Sequence, residues 1–120
     1  MRAITSLALA IAGMVNALAQ SQSKDVVVQG VGRHPCSLFA QEYRDNPLLT
    51  EGLYYNWAIG FMSGYNSSLA EQNNLSNQKN LVGRDLKYQL TFLRNHCLSG
   101  SSEYYVQAVK ALYDDLPYLK

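Results

Sequence analysis

Only two cysteines, Cys36 and Cys97, occur in this 120-residue chain, and 61 positions separate them. If they are oxidised, one pairing is open to them, and any fold must carry the first against the second. Oxidation depends on compartment, which the N-terminus addresses. Met1-Arg2-Ala3 leads into an apolar run from Ile4 to Val15, followed by Asn16-Ala17-Leu18-Ala19-Gln20. One positive charge, a short apolar core and small residues at Ala17 and Ala19 form the pattern of a secretory signal peptide over residues 1–19, cleaved after Ala19. A bilayer-spanning helix needs about 20 apolar residues, and this run is shorter. No later stretch reads as a membrane span. The expectation is therefore a periplasmic or secreted chain, Gln20 to Lys120, with Cys36 bonded to Cys97. In the chain-entropy model such a loop is worth about 4 kcal/mol, a large share of what holds a small domain together.

The competing use of the cysteines is a metal site. His34 and His96 sit beside them, which makes a Cys2His2 set stoichiometrically available. The usual gap of two to four residues between paired ligands is missing, so the disulfide is the preferred reading and no metal or cofactor is expected.

The length allows one domain. Charged residues make up 16% of the chain against the roughly 25% of average soluble domains, while 48% is hydrophobic, so the sequence folds. The net charge of +1 loses its excess with Arg2, leaving the mature chain neutral, and no basic run marks a nucleic-acid binder.

Residues 20–34 read as a flexible N-terminal arm around Val26-Val27-Val28, and residues 35–120 as a helical domain. After Pro35, Cys36, Phe39, Ala40 and Tyr43 fall on one helical face that ends near Asn46-Pro47. A second helix is predicted from Thr50, as N-cap, with Glu51 in its first turn, to about Gln72. Leu53, Trp57, Phe61 and Gly64 run along one side of it, with Tyr54, Ala58, Met62, Tyr65 and Leu69 beside them, the broad apolar face of a central helix. Gly60 and Gly64 each cost a helix interior roughly 1 kcal/mol relative to Ala. Close approach of another helix is the first explanation for them, and a backbone surface offered to a partner is the second.

Glu71 to Val82, with Asn73, Asn74, Asn77 and Asn80, reads as an exposed loop. Asn66-Ser67-Ser68 and Asn74-Leu75-Ser76 match the glycosylation pattern. A third helix follows Asp85 with Leu86, Leu90, Leu93 and Cys97 on one face, and His96 near its C-terminal dipole. Ser99-Gly100-Ser101-Ser102 is expected to stop it and cap a fourth, striped by Tyr105, Val109, Leu112 and Leu116. The fold class is all-α: four helices, the disulfide joining the first to the end of the third.

Catalytic patterns are missing: there is no G-x-S-x-G, H-E-x-x-H, Walker A loop or calcium loop. The one acidic doublet, Asp114-Asp115, diverges by about 100° around a helix and reads as a solvated helix end. The reading is a non-enzyme. Of the adjacent pairs Tyr54-Tyr55 and Tyr104-Tyr105, only one ring each can point to the centre of the core, so the other, Tyr55 and Tyr104 on the stripes above, lies at a boundary or on the surface. Exposed tyrosine in a low-charge surface favours protein contact, either with a partner or with a second copy of the chain. The candidate contact set is Tyr55, Gly60, Gly64, Asn66, Asn73, Asn74 and Tyr104.

A signal peptide, an early cysteine on a first helix (Cys36), an aromatic-glycine helix (Trp57, Gly60, Phe61, Gly64, Tyr65, Asn66), and a second cysteine (Cys97) before a last helix over Val106 to Leu116 resemble the Tai-type periplasmic immunity proteins of type VI secretion. That resemblance covers most of Cys36 to Leu116. It implies a protein that binds a secreted cell-wall-degrading enzyme and occludes its active site without catalysis of its own. The architecture and the cysteine pair are also similar to the HdeA/HdeB acid-stress chaperones. Those would imply a dimer that loosens on protonation and offers apolar surface to unfolding clients.

Overall fold

The computed structural model describes residues 27–99 and 102–120. The expected signal peptide, the Ala19 cleavage site and residues 20–26 of the arm lie outside them. A 3-10 turn over Gly30–Arg33 is followed by helices α1 (Cys36–Asp45), α2 (Pro47–Glu71), α3 (Leu86–Leu98) and α4 (Tyr105–Asp115), with a second 3-10 turn at Leu75–Asn77. Among the described residues there is no strand, only isolated bridges pairing Pro35 with Tyr104 and Lys79 with Tyr118.

The Cys36–Cys97 disulfide forms, with its Cα atoms 4.8 Å apart and both residues buried. It fastens the first residue of α1 to the last turn of α3. The start of α4 is laid over the same corner, because the Cys36 amide donates to the Glu103 carbonyl and the Tyr105 amide to the His34 carbonyl, both at 2.8 Å. Against this corner Phe39, Tyr54 and Tyr105 interlock. Tyr54 meets the other two edge-on at centroid distances of 4.9 and 4.8 Å, the geometry that the ring quadrupole favours. Ala58, Met62, Leu93, Ala108, Val109, Leu112, Tyr113 and Leu116 complete the core.

The turn between α1 and α2 is one residue long. Pro47 pushes Asn46 out of helical geometry (φ −150°, ψ 83°), which ends α1, and then starts α2 from its own fixed φ. Asn46 caps the new helix by accepting from the Leu49 amide at 3.3 Å. The expected cap, Thr50, is instead buried in the second turn and donates to the Glu42 carbonyl at 2.9 Å. Starting at Pro47 leaves Thr50, Tyr54, Ala58 and Met62 as the buried stripe and turns Leu53, expected in the core, out to solvent. Glu51, now beyond the first turn, pairs with Arg94 of α3 at 3.4 Å.

Helix α2 closes with Asn73 in the left-handed region at φ 56°. Its amide donates to the Ala70 carbonyl and that of Asn74 to Leu69, a Schellman motif built on asparagine. The loop beyond is less exposed than its composition predicts, since Lys79 is buried. Its Nζ donates to the Asp114 and Leu116 carbonyls and lies 4.0 Å from the Tyr118 ring centre, closing the C-terminal end of α4. Asp85 caps α3 through the Tyr88 amide at 2.7 Å. Leu93 and Cys97 of the predicted α3 stripe are buried, Leu90 is half-buried, Leu86 is exposed, and the third buried position is Gln89. The cap residue of α4 is Tyr104, not a serine of the preceding turn, and its amide donates to Gln107 Oε1 at 2.7 Å. His96, at the end of α3, pairs with Glu103.

From the arm, Gly30–Arg33 packs on α2. A Cβ on Gly32 would run into the Trp57 ring, whose Nε1 donates to the Gln29 carbonyl at 2.8 Å. Gly32→Ala should therefore lower stability by about 1–3 kcal/mol, with altered emission from Trp57, the one tryptophan, and unchanged stability would contradict this packing. Replacing both Cys36 and Cys97 by Ala should cost about 4 kcal/mol in urea unfolding; less than about 1 kcal/mol would show that the reduced chain is already constrained.

Candidate partner-binding surface

α1, α3 and α4 all lie on one side of α2, so the opposite side faces solvent. Leu48, Leu49, Gly52, Leu53, Asn56, Gly60, Ser63, Gly64 and Ser67 recur at helical spacing on that side, and every one of them is exposed. None is charged. The one acidic or basic side chain before Glu71 on this helix, Glu51, is turned toward Arg94. A solvent-facing helix surface ordinarily carries charge, and this one carries three leucines and three glycines over about 30 Å of helix.

The close-packing explanation for Gly60 and Gly64 is overturned. A Cβ built on either, or on Gly52, meets nothing within 4 Å, so no helix crosses there. What the geometry leaves is open backbone flanked by leucines.

At the N-terminal end of this face a groove of about 400 Å³ opens between the 3-10 turn, the end of α1 and the start of α2. Val31, Leu49 and Leu53 form its apolar walls, and His34, Glu42 and Tyr54 bring polar groups to it. The Tyr54 hydroxyl donates to Glu42 Oε2 at 2.6 Å and lies 2.8 Å from His34 Nδ1. With its proton committed to the carboxylate, the hydroxyl oxygen accepts, so Nδ1 carries hydrogen and donates. Burial first, and then the Glu42 carboxylate, push the Tyr54 hydroxyl well above its ordinary value.

The remaining predicted contact residues are scattered. Tyr55 lies at the boundary of the core, outside the buried Tyr54: it is half-buried and donates to Gln89 Oε1 at 3.0 Å, and burial raises its pKa. Gln89 Nε2 in turn donates to the Leu81 and Arg84 carbonyls, which satisfies a buried amide that the apolar stripe had hidden. Asn66 is a clamp on the loop. It exchanges hydrogen bonds with the Lys79 backbone at 2.8 and 3.0 Å and accepts from Tyr113 at 2.6 Å. Asn73 and Asn74 form the helix-ending turn, with Asn74 Oδ1 also accepting from Asn77. Tyr104 is exposed as expected, but it lines a different groove, with Val27, Val28, Gly32, Arg33 and Val106. Of the set, Gly60 and Gly64 share one open face. Leu48, Leu49 and Leu53 join them there, exposed by the helix phase that the Thr50–Tyr54–Ala58–Met62 spacing of four fixes.

With both cysteines in the disulfide, the Cys2His2 set is not formed, and the described residues contain no group of three metal-binding side chains. No helix among them is long and apolar enough to cross a membrane. Fold and surface together define a small disulfide-linked four-helix domain with one uncharged helix face. Compared with protein-family models, with characterised proteins and with solved structures, the chain finds no match.

Tyr54 and Tyr105 both have hydroxyls raised by burial, so each contributes stability that is present below its ordinary value of about 10 and lost as pH climbs above it. The urea midpoint should hold from neutrality to about pH 10 and then fall. Tyr54→Phe should cost about 1 kcal/mol at neutral pH and flatten the alkaline decline; a midpoint indifferent to alkali would contradict the burial of these hydroxyls.

Proposed function

We propose that this chain is an exported, non-catalytic binding module of the periplasmic immunity type, which docks the open face of α2 on a cell-wall-degrading enzyme and occludes that enzyme's active site. The observation that carries the reading is the uncharged face itself, from Leu48 to Ser67. Leaving leucines in water gains nothing for a free monomer, whereas covering them on association removes apolar area from solvent at roughly 25 cal/mol per Å² before the costs of binding. Bare glycine backbone at Gly60 and Gly64 gives a protruding loop room to approach the helix closely. The buried Cys36–Cys97 bridge supports an oxidising compartment, as the periplasm is.

The test is affinity capture by the mature chain from periplasm, in parallel with Gly60→Arg. That variant adds bulk and charge to the open face and touches no core residue. One cell-wall hydrolase should be recovered in stoichiometric amount and be inhibited on binding, with at least a tenfold loss of affinity in the variant, about 1.4 kcal/mol. Recovery of no hydrolase, or equal capture by both chains, would overturn the proposal. Suppression of client aggregation in strong acid, without hydrolase inhibition, would place the chain with the acid chaperones instead.

A further inference from the structure

We infer that the groove between the end of α1 and the start of α2 is a receptor site for an arginine side chain presented by the protein partner. This rests on the binding-module reading above and names the chemistry that the partner must bring to one end of the face. Glu42 and Asp45 stand three residues apart on α1, hence on one side of it, and both line the groove. No lysine or arginine lines it with them. Among the described residues Asp45 makes no ion pair or side-chain hydrogen bond. Glu42 commits only Oε2, to the Tyr54 hydroxyl, and that bond holds the carboxylate in place at the groove. Arg94 is engaged with Glu51 and Tyr43, Arg33 lines the separate groove beside Tyr104, and Arg44, on α1 between the two carboxylates in sequence, does not line this groove.

The walls select among cations. Leu49 and Leu53 are each 56% exposed and, with Val31, offer an apolar bed for an aliphatic stem. A bare divalent ion would find two carboxylates here and leucines where the rest of its oxygen shell should be, so the lining does not suit one. An anion is repelled by both carboxylates. A guanidinium on a three-carbon stem matches both halves: its planar fork can bridge two carboxylates while its methylenes lie on the leucines. A neutral apolar side chain would leave Asp45 and the spare oxygen of Glu42 desolvated without a partner.

The experiment uses butylguanidinium as probe, titrated into the folded, oxidised chain and followed by NMR, with butylurea as the uncharged match and butyrate as the anion. Saturable shifts are expected at the methyls of Leu49 and Leu53 and at Glu42 and Asp45 for butylguanidinium, at least tenfold weaker binding for butylurea, and none for butyrate. Glu42→Gln keeps an acceptor for Tyr54, and Asp45→Asn is on the surface, so the double variant should fold and lose butylguanidinium binding about tenfold. Equal binding of butylurea, retention of binding in the double variant, or no saturable shift would each overturn the inference. The two readings fail separately. A groove that takes butylguanidinium in a chain that captures no hydrolase contradicts the proposed function and not the groove's chemistry. A captured hydrolase held undiminished by the double variant contradicts the groove's part in docking.

Discussion

The buried Cys36–Cys97 bridge is the constraint on which the rest of the arrangement depends. It sets the first residue of α1 against the last turn of α3, and the two backbone hydrogen bonds beside it bring in the first residue of α4. Three helix ends thus meet at one corner through covalent and backbone links alone. Phe39, Tyr54 and Tyr105 then fill the space below that corner, so the aromatic cluster and the covalent link reinforce each other.

Helix α2 is the longest element, yet it is only a wall of this core. Since the bridge gathers the other three helices to one side of it, its outer side has no neighbour, whatever residues stand there. Surface helices usually fill such positions with charge, which keeps them wet. This one places Leu49, Leu53, Gly60 and Gly64 there, and the groove at its end adds the carboxylates of Glu42 and Asp45. The proposed docking face is therefore a consequence of topology, and its chemistry is a matter of what the sequence puts on the uncovered side.

Much of the fold was legible in the sequence, since the helix count, the cysteine pairing and the Tyr105–Leu116 stripe follow from apolar spacing and from having only two cysteines. The misreadings share one cause: a helix that is apolar on several sides does not declare its own phase. In α2 the choice hung on where the helix begins, and the Asn46-Pro47 junction, not the attractive cap at Thr50, decided it. That difference moved Leu53 from core to surface. It also left Gly60 and Gly64 uncovered where a crossing helix had been expected. The hydrogen-bonding roles of Tyr55 and Asn66 are hidden for another reason. Each satisfies a polar partner distant in sequence, Gln89 for one and Lys79 with Tyr113 for the other, and such long-range hydrogen bonds leave no local pattern to read. The groove at Glu42 and Asp45 was invisible on the same grounds, since its walls come from three separate elements.

The claim at the centre of this account is that the uncovered side of α2 is the surface on which the protein works. Hydroxyl-radical footprinting of the chain, free and bound to the hydrolase that the proposed function expects it to capture, tests this most directly. The account predicts protection concentrated at Leu48, Leu49 and Leu53, with the exposed side chains of α3 and α4, Tyr88 and Leu98 among them, reacting alike in both states. Protection of α3 and α4 with α2 still reactive would contradict it.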